Sequence, residues 1–273
     1  MKNLLNISIL AVLLFVSSGC IEFNLKVKVD SNGSGTITEE VLFSQKMVTM
    51  INSLAAMGGE DAEKFEPFNM NDIADRATEF GEGVELIKAE KLTRKTQSGY
   101  SAVYSFKDIN KLVLQDDPSS LMPDNLPTND PDEGKVTDGF TFEFKKGNPA
   151  KMVISMNQDE FTLEENSEFE DESESQGEEN EMMFQQMKDM MKDMRTSIIL
   201  EIDGKILETT ATHVKGNKIT LIDLDFGKLF DMPEKLEDFK KFKPKSFEEA
   251  KKFLSGIPGF KIEFNDEISV KFR

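Results

Sequence analysis

A chain of 273 residues with 51 acidic and 33 basic side chains carries a formal charge of −18. That excess argues against a nucleic-acid partner, whose phosphates need a basic face, and a single cysteine excludes an intrachain disulfide framework. An apolar fraction of 38% suffices for a packed core, so the chain as a whole is not of the disordered class.

Lys2 and an apolar run over residues 4–16 open the chain, followed by Ser17, Ser18, Gly19 and Cys20. A positive start, a short apolar stretch and a small-residue exit make a secretory signal peptide. The run falls short of the ~20 residues that a membrane-spanning helix needs. Ser18, Gly19 and Cys20 resemble the end of the bacterial lipoprotein signal, the lipobox. Ser17 stands where that signal usually has an aliphatic residue, with Val16 one place early. The resemblance implies cleavage before Cys20, diacylglycerol on the Cys20 sulfur and acylation of the new amine. A lone exported thiol could pair only with another molecule, which also favours Cys20 as a lipid carrier. Several acyl chains, at ~0.8 kcal/mol per buried methylene, would hold such a protein on a membrane. Ile21, rather than Asp, follows Cys20 and favours the outer membrane, at its periplasmic face or the cell surface, in a cell with two membranes.

Residues 22–30 alternate apolar and polar, and a turn cluster at 31–35 precedes a returning strand over 36–43. Asp30, Asn32 and Ser34 match the opening of a calcium-binding loop, but Val41 stands where a bidentate Glu is required. A hairpin turn is the better reading. Helical spacing over 44–57 is capped by Ser44 and ended by Gly58-Gly59. Asn69 can cap a second helix, which Gly81 stops. Residues 84–96 and 100–106 predict a hairpin across Gln97-Ser98-Gly99, with Tyr100, Ala102, Tyr104 and Phe106 on one face. A short helical turn follows at 108–112, and 115–137 read as a long Pro-rich loop. Residues 140–144 and 152–156 form a further hairpin.

Residues 159–181 hold 12 acidic side chains and no basic one. Such a run cannot offset its ordering entropy and reads as a disordered acidic linker. Residues 182–195 predict a helix with Met183, Met187, Met190 and Met194 on one stripe. Thioethers suit Cu(I), but Met at this spacing more simply fills a core. Hairpins are expected over 197–213, around Asp203-Gly204, and over 260–272, around Asn265-Asp266. His213, the sole histidine, has no companion for a metal and reads as structural. Residues 233–254 predict a mixed helix broken at Pro244 and restarted by a capping box from Ser246 to Glu249. Its lysines and phenylalanines suggest either a cover for the sheet or a contact with anionic headgroups.

The resulting fold class is α+β: an antiparallel sheet of successive hairpins with helices on one face, plus the disordered acidic insertion. The expected organisation is a signal peptide at 1–19, a first part of one α+β domain at 20–158, the linker at 159–181 and a second part at 182–273. Neither part has a complete sheet, so each must pack on the other. The order of lipobox cysteine, strand, Gly-rich turn, strand, then Ile198 to Ile206 and Gly216 to Leu221, is similar to LppM-type bacterial lipoprotein domains. That resemblance implies an envelope-exposed α+β domain without a catalytic site, and it transfers no functional residue.

Neither Gly-x-Ser-x-Gly, a phosphate loop nor a zinc signature is present. The expectation is therefore a non-catalytic, membrane-anchored envelope lipoprotein that binds a protein partner or a lipid-like ligand. Cys20 is its one assigned residue, and no cofactor, metal ligand or catalytic residue is expected. The alternatives are metal handling by the Met helix or acidic run, and an enzyme working through a carboxylate pair.

Overall fold

The computed structural model describes residues 21–57, 64–114, 139–156, 192, 194–240, 242 and 247–273. The signal peptide with Cys20, Gly58-Gly59, the Pro-rich loop 115–137, the acidic run, most of the Met-rich segment and the Pro244 break with Ser246 lie outside the described residues.

Strand β1 (Ile21–Val29) pairs antiparallel with β2 (Gly35–Ser44), from Ile21 opposite Phe43 to Val29 opposite Gly35. The side chains that resembled a calcium loop are used by the turn itself. Ser34 Oγ donates to Asp30 at 3.2 Å and to Asn32 at 2.8 Å, and the Asp30 amide donates to the Ser34 carbonyl at 2.8 Å. Helix α1 (Gln45–Met57) begins where β2 ends, and Ser44 Oγ accepts the Met47 amide at 3.1 Å, as a cap should. Asn69 caps α2 (Met70–Glu79) by accepting the Asn71 amide at 3.0 Å. Gly81 stops that helix at φ +121, where an added Cβ would stand 2.0 Å from the Lys111 carbonyl.

Strands β3 (Glu85–Arg94) and β4 (Gln97–Phe106) form the expected hairpin, but the turn is Lys95-Thr96. Gln97, Ser98 and Gly99 belong to β4 instead. Gly99 lies opposite Leu42, and a Cβ there would sit 1.9 Å from the Val41 carbonyl. Close approach of two strands, not a turn, explains that glycine. A 3-10 turn (Ile109–Lys111) leads to β5 (Val113–Leu114), then β6 (Phe140–Lys145) and β7 (Ala150–Met156). After the acidic run come β8 (Arg195–Ile202), β9 (Ile206–Thr209), β10 (Val214–Lys215) and β11 (Lys218–Asp225). Helices α3 (Phe226–Phe230), α4 (Pro233–Lys240) and α5 (Phe247–Leu254) precede β12 (Phe260–Ile262) and β13 (Glu267–Phe272).

The fold is α+β and mostly antiparallel, with the strands divided over two sheets. One runs β10-β11-β8-β1-β2-β4-β3, with β12 also on β11, and the other runs β5-β6-β7-β13-β9. The parallel pair is β1 with β8. Strands from before and after the acidic run therefore meet in both sheets, β1 on β8 and β7 on β13.

Two expected hairpins turn out to be crossings between sheets. At Asp203-Gly204 the chain leaves β8 in the first sheet for β9 in the second. The Asp203 amide is held by the Val29 carbonyl at 2.8 Å, and the Lys205 amide by the Arg273 carbonyl at 2.7 Å. At 263–266 it passes from β12 on β11 to β13 on β7 and β9. Alternation marks a strand but not its partner, and turn residues serve a crossing as well as a hairpin.

One core unites both sheets with α1 and α2: Leu25, Val27, Ile37 and Leu200 from the first sheet, Phe140, Met152, Val270 and Phe272 from the second, and Ile51 and Ile73 from the helices. Each fully buried side chain of that size contributes about 1.5–3 kcal/mol. The last three helices do not cover the sheet. They enclose a separate core of Phe226, Leu229, Phe230, Leu236, Ile257 and Phe260.

Candidate functional site

Alternation along β2 puts Ile37, Glu39, Val41 and Phe43 on the buried face, so an acid occupies a core position. Glu39 is fully buried. Arg76, on the α2 face that also buries Ile73 and Ala77, reaches it with Nη2 2.7 Å from Oε1 and Nε 3.0 and 3.2 Å from the two oxygens. Tyr100 donates to Glu39 Oε2 at 2.9 Å. Tyr104 donates to the Ile73 carbonyl at 3.0 Å, with Glu39 Oε2 at 3.3 Å. Both tyrosines of the chain thus converge on one carboxylate.

The electrostatics follow from that burial. Loss of water, then the neighbouring Glu39 charge, pushes the Tyr100 and Tyr104 phenols far above their ordinary range. The Arg76 guanidinium loses water as well, but the adjacent Glu39 charge outweighs that and raises its pKa. A carboxylate held by a guanidinium and the Tyr100 phenol, with Tyr104 beside it, has its charge balanced by Arg76 and its oxygens occupied. Its oxygens face α2 and β4, not solvent, so its chemistry is that of a fastener between helix and sheet.

A second fully buried carboxylate, Glu263, ties the 263–266 crossing to the 210–213 link between β9 and β10. It accepts the Thr212 amide at 2.5 Å, the Thr212 hydroxyl at 2.9 Å and the Asn265 amide at 3.1 Å. His213 lies beside this knot, with Nε2 3.3 Å from the Ile262 carbonyl. Among the described residues no three His, Cys, Asp or Glu side chains gather as a metal site, and every buried side-chain polar atom has a hydrogen-bond partner. Sequence reasoning missed Glu39 and Glu263. For Glu39 the signal was present, since it falls in step with the apolar residues of its strand.

The remaining candidates collect at one end of the first sheet. Ile21, the residue after Cys20, opens β1 there. Glu22 lies beside Arg195, and Arg195 beside Asp225. The helical lobe leaves the sheet at Asp225 and rejoins it at Gly259, whose carbonyl accepts the Asp225 amide at 3.2 Å. Met194, the last of the Met stripe, packs against the lobe's core, and its carbonyl accepts the Phe226 amide at 3.2 Å. Within the lobe Phe242 stacks on Phe253, with ring centroids 3.8 Å apart. Among the described residues no helix is long and apolar enough to cross a membrane.

No family model matches the chain, and no curated protein matches it. Among solved structures it is similar to the folded domain of Mycobacterium tuberculosis LppM, determined by NMR. The TM-score is 0.31 and the identity 7%, over 77% of this chain and 85% of that one, a weak structural resemblance.

Proposed function

We propose that the chain is a non-catalytic bacterial envelope lipoprotein, anchored through acyl groups on Cys20, whose body binds a protein partner or a lipid-like ligand at the membrane. The observation that carries this reading is the junction at Cys20. Small residues and a lone thiol end an apolar leader, and β1 begins with the next residue, Ile21. An anchor at that position leaves no spacer between bilayer and body, because consecutive Cα atoms stand only ~3.8 Å apart.

The non-catalytic part of the reading is supported by the two buried carboxylates. Glu39 and Glu263 sit in different parts of the fold, and each is saturated by fixed structural donors. A general acid or base needs a proton within reach of a substrate, which neither offers. Labelled palmitate incorporated into the wild type but not into Cys20→Ala tests the anchor. Equal label in both chains would overturn it.

A further inference from the structure

We infer that the end of the first sheet at which β1 starts is a basic rim that rests on the anionic headgroups of a bilayer. The inference builds on the reading of Cys20 as the anchored residue, and it adds a second, electrostatic contact made by the folded body.

The geometry comes from the strand register. Ile21 lies opposite Phe43, Phe43 opposite Ser98, and Ser98 opposite Thr93. On the other side Glu22 lies beside Arg195, and Arg195 opposite Asp225. The start of α1, the β3–β4 turn, the entry to β8 and the start of α3 therefore share this end with Ile21. Those segments expose Lys46, Arg94, Lys95, Lys192, Arg195 and Lys228. Four acids pair with three of these bases: Glu22 and Glu40 with Arg94 at 3.0 and 3.4 Å, Asp223 with Arg195 at 3.2 Å, and Asp225 with Lys228 at 3.4 Å. Among the described residues, six exposed bases against these four acids leave the rim positive, with Lys46, Lys95 and Lys192 outside the pairs.

The opposite end of the same sheet supplies the contrast. Its turns and strand ends hold Asp30, Glu82, Glu85, Asp108 and Asp203 against Lys107, Lys111, Lys205, Lys215 and Lys218, with Lys111 on Glu82 at 2.9 Å. That end is balanced, five acids against five bases, and carries no positive excess. Positive charge is gathered where an anchor on Cys20 would bring the body within a residue of the headgroups. Basic side chains at an anionic surface each strengthen binding about fivefold, within roughly a Debye length of 8–10 Å. The acyl chains would hold the rim inside that distance, and the rim would fix which way the sheet points.

The test uses the full mature chain, residues 20–273, with Cys20→Ser, so that no acyl group contributes. Co-sedimentation is measured with vesicles of phosphatidylcholine alone and with vesicles holding equal parts of phosphatidylcholine and phosphatidylglycerol. The expected result is binding to the anionic vesicles only, abolished by high salt. A Lys46→Glu, Lys95→Glu, Lys192→Glu variant should lose at least about tenfold. A Lys107→Glu, Lys205→Glu, Lys215→Glu variant changes net charge equally at the other end and should keep its binding. Circular dichroism and melting confirm that both variants fold. No binding of the parent chain to anionic vesicles, or equal losses in the two variants, would overturn the inference. Palmitate labelling reads the anchor separately, so failure of the rim and failure of the anchor are told apart.

Discussion

Arg76 Nη2 stands 2.7 Å from Glu39 Oε1 beneath helix α2, joining a residue of that helix to a core position of β2. A buried pair of this kind adds little over well-packed apolar residues, but losing one partner strands a charge at about 3–5 kcal/mol. Arg76→Ala should therefore destabilise the chain by about 3–5 kcal/mol in urea unfolding. Glu39→Leu with Arg76→Met should recover most of that loss. Equal losses in the single and the double variant would mean that α2 is held by its apolar face alone.

The two tyrosines give a pH signature. Their folded pKa values are raised by burial and by the Glu39 charge, while unfolded tyrosine titrates near ~10. Above that pH the unfolded chain loses phenolic protons that the folded chain keeps. Their contribution to stability is thus complete below pH ~10 and declines as pH rises beyond it. With two Tyr and no Trp, phenolate absorbance reports these groups alone. It should stay absent in moderate alkali and appear from both tyrosines together when the chain unfolds. Ordinary titration near pH 10 in the folded protein would contradict the network.

Glu263 is expected to hold the 210–213 link and the 263–266 crossing in register. Glu263→Ala strands the Thr212 and Asn265 amides, at about 1–3 kcal/mol for unsatisfied buried donors. Amide exchange at Thr212 should quicken more than exchange at Val27, deep in β1. Equal acceleration at both would show that Glu263 affects only global stability.

Because β1 pairs with β8 and β7 with β13, cutting the chain within 159–181 should leave two fragments bound to each other. They should migrate as one species in native gel filtration and separate only in denaturant. Fragments that part under native conditions would contradict a single domain built from both halves.

Much of the fold was legible in the residues. Alternation placed Phe23, Leu25, Val27 and Val29 on one face of β1, and the same face of β4 was read as Tyr100, Ala102, Tyr104 and Phe106; all eight are buried. Ser44 and Asn69 cap the helices they were expected to cap. Partner choice was not legible, because it depends on contacts distant in the chain: Ile206 joins Phe272 in the second sheet, not the neighbouring strand β8. The lobe at 226–259 was legible as helix over 233–254, but neither the helix Phe226–Phe230 nor a separate core was read, since its phenylalanines fit either a sheet cover or a cluster of their own. Glu39 was hidden for another reason. An acid in a strand is read as solvent-facing unless its buried guanidinium is found, and Arg76 lies 37 positions along the chain.

The anchor on Cys20 is the claim on which the placement of this protein depends, and intact mass spectrometry of the chain purified from its native membrane reads it directly. The expected species begins at Cys20 and is heavier than residues 20–273 by the mass of a diacylglyceryl group and an amide-linked acyl chain. A chain of unmodified mass, with a free amino terminus and a free thiol, would contradict it.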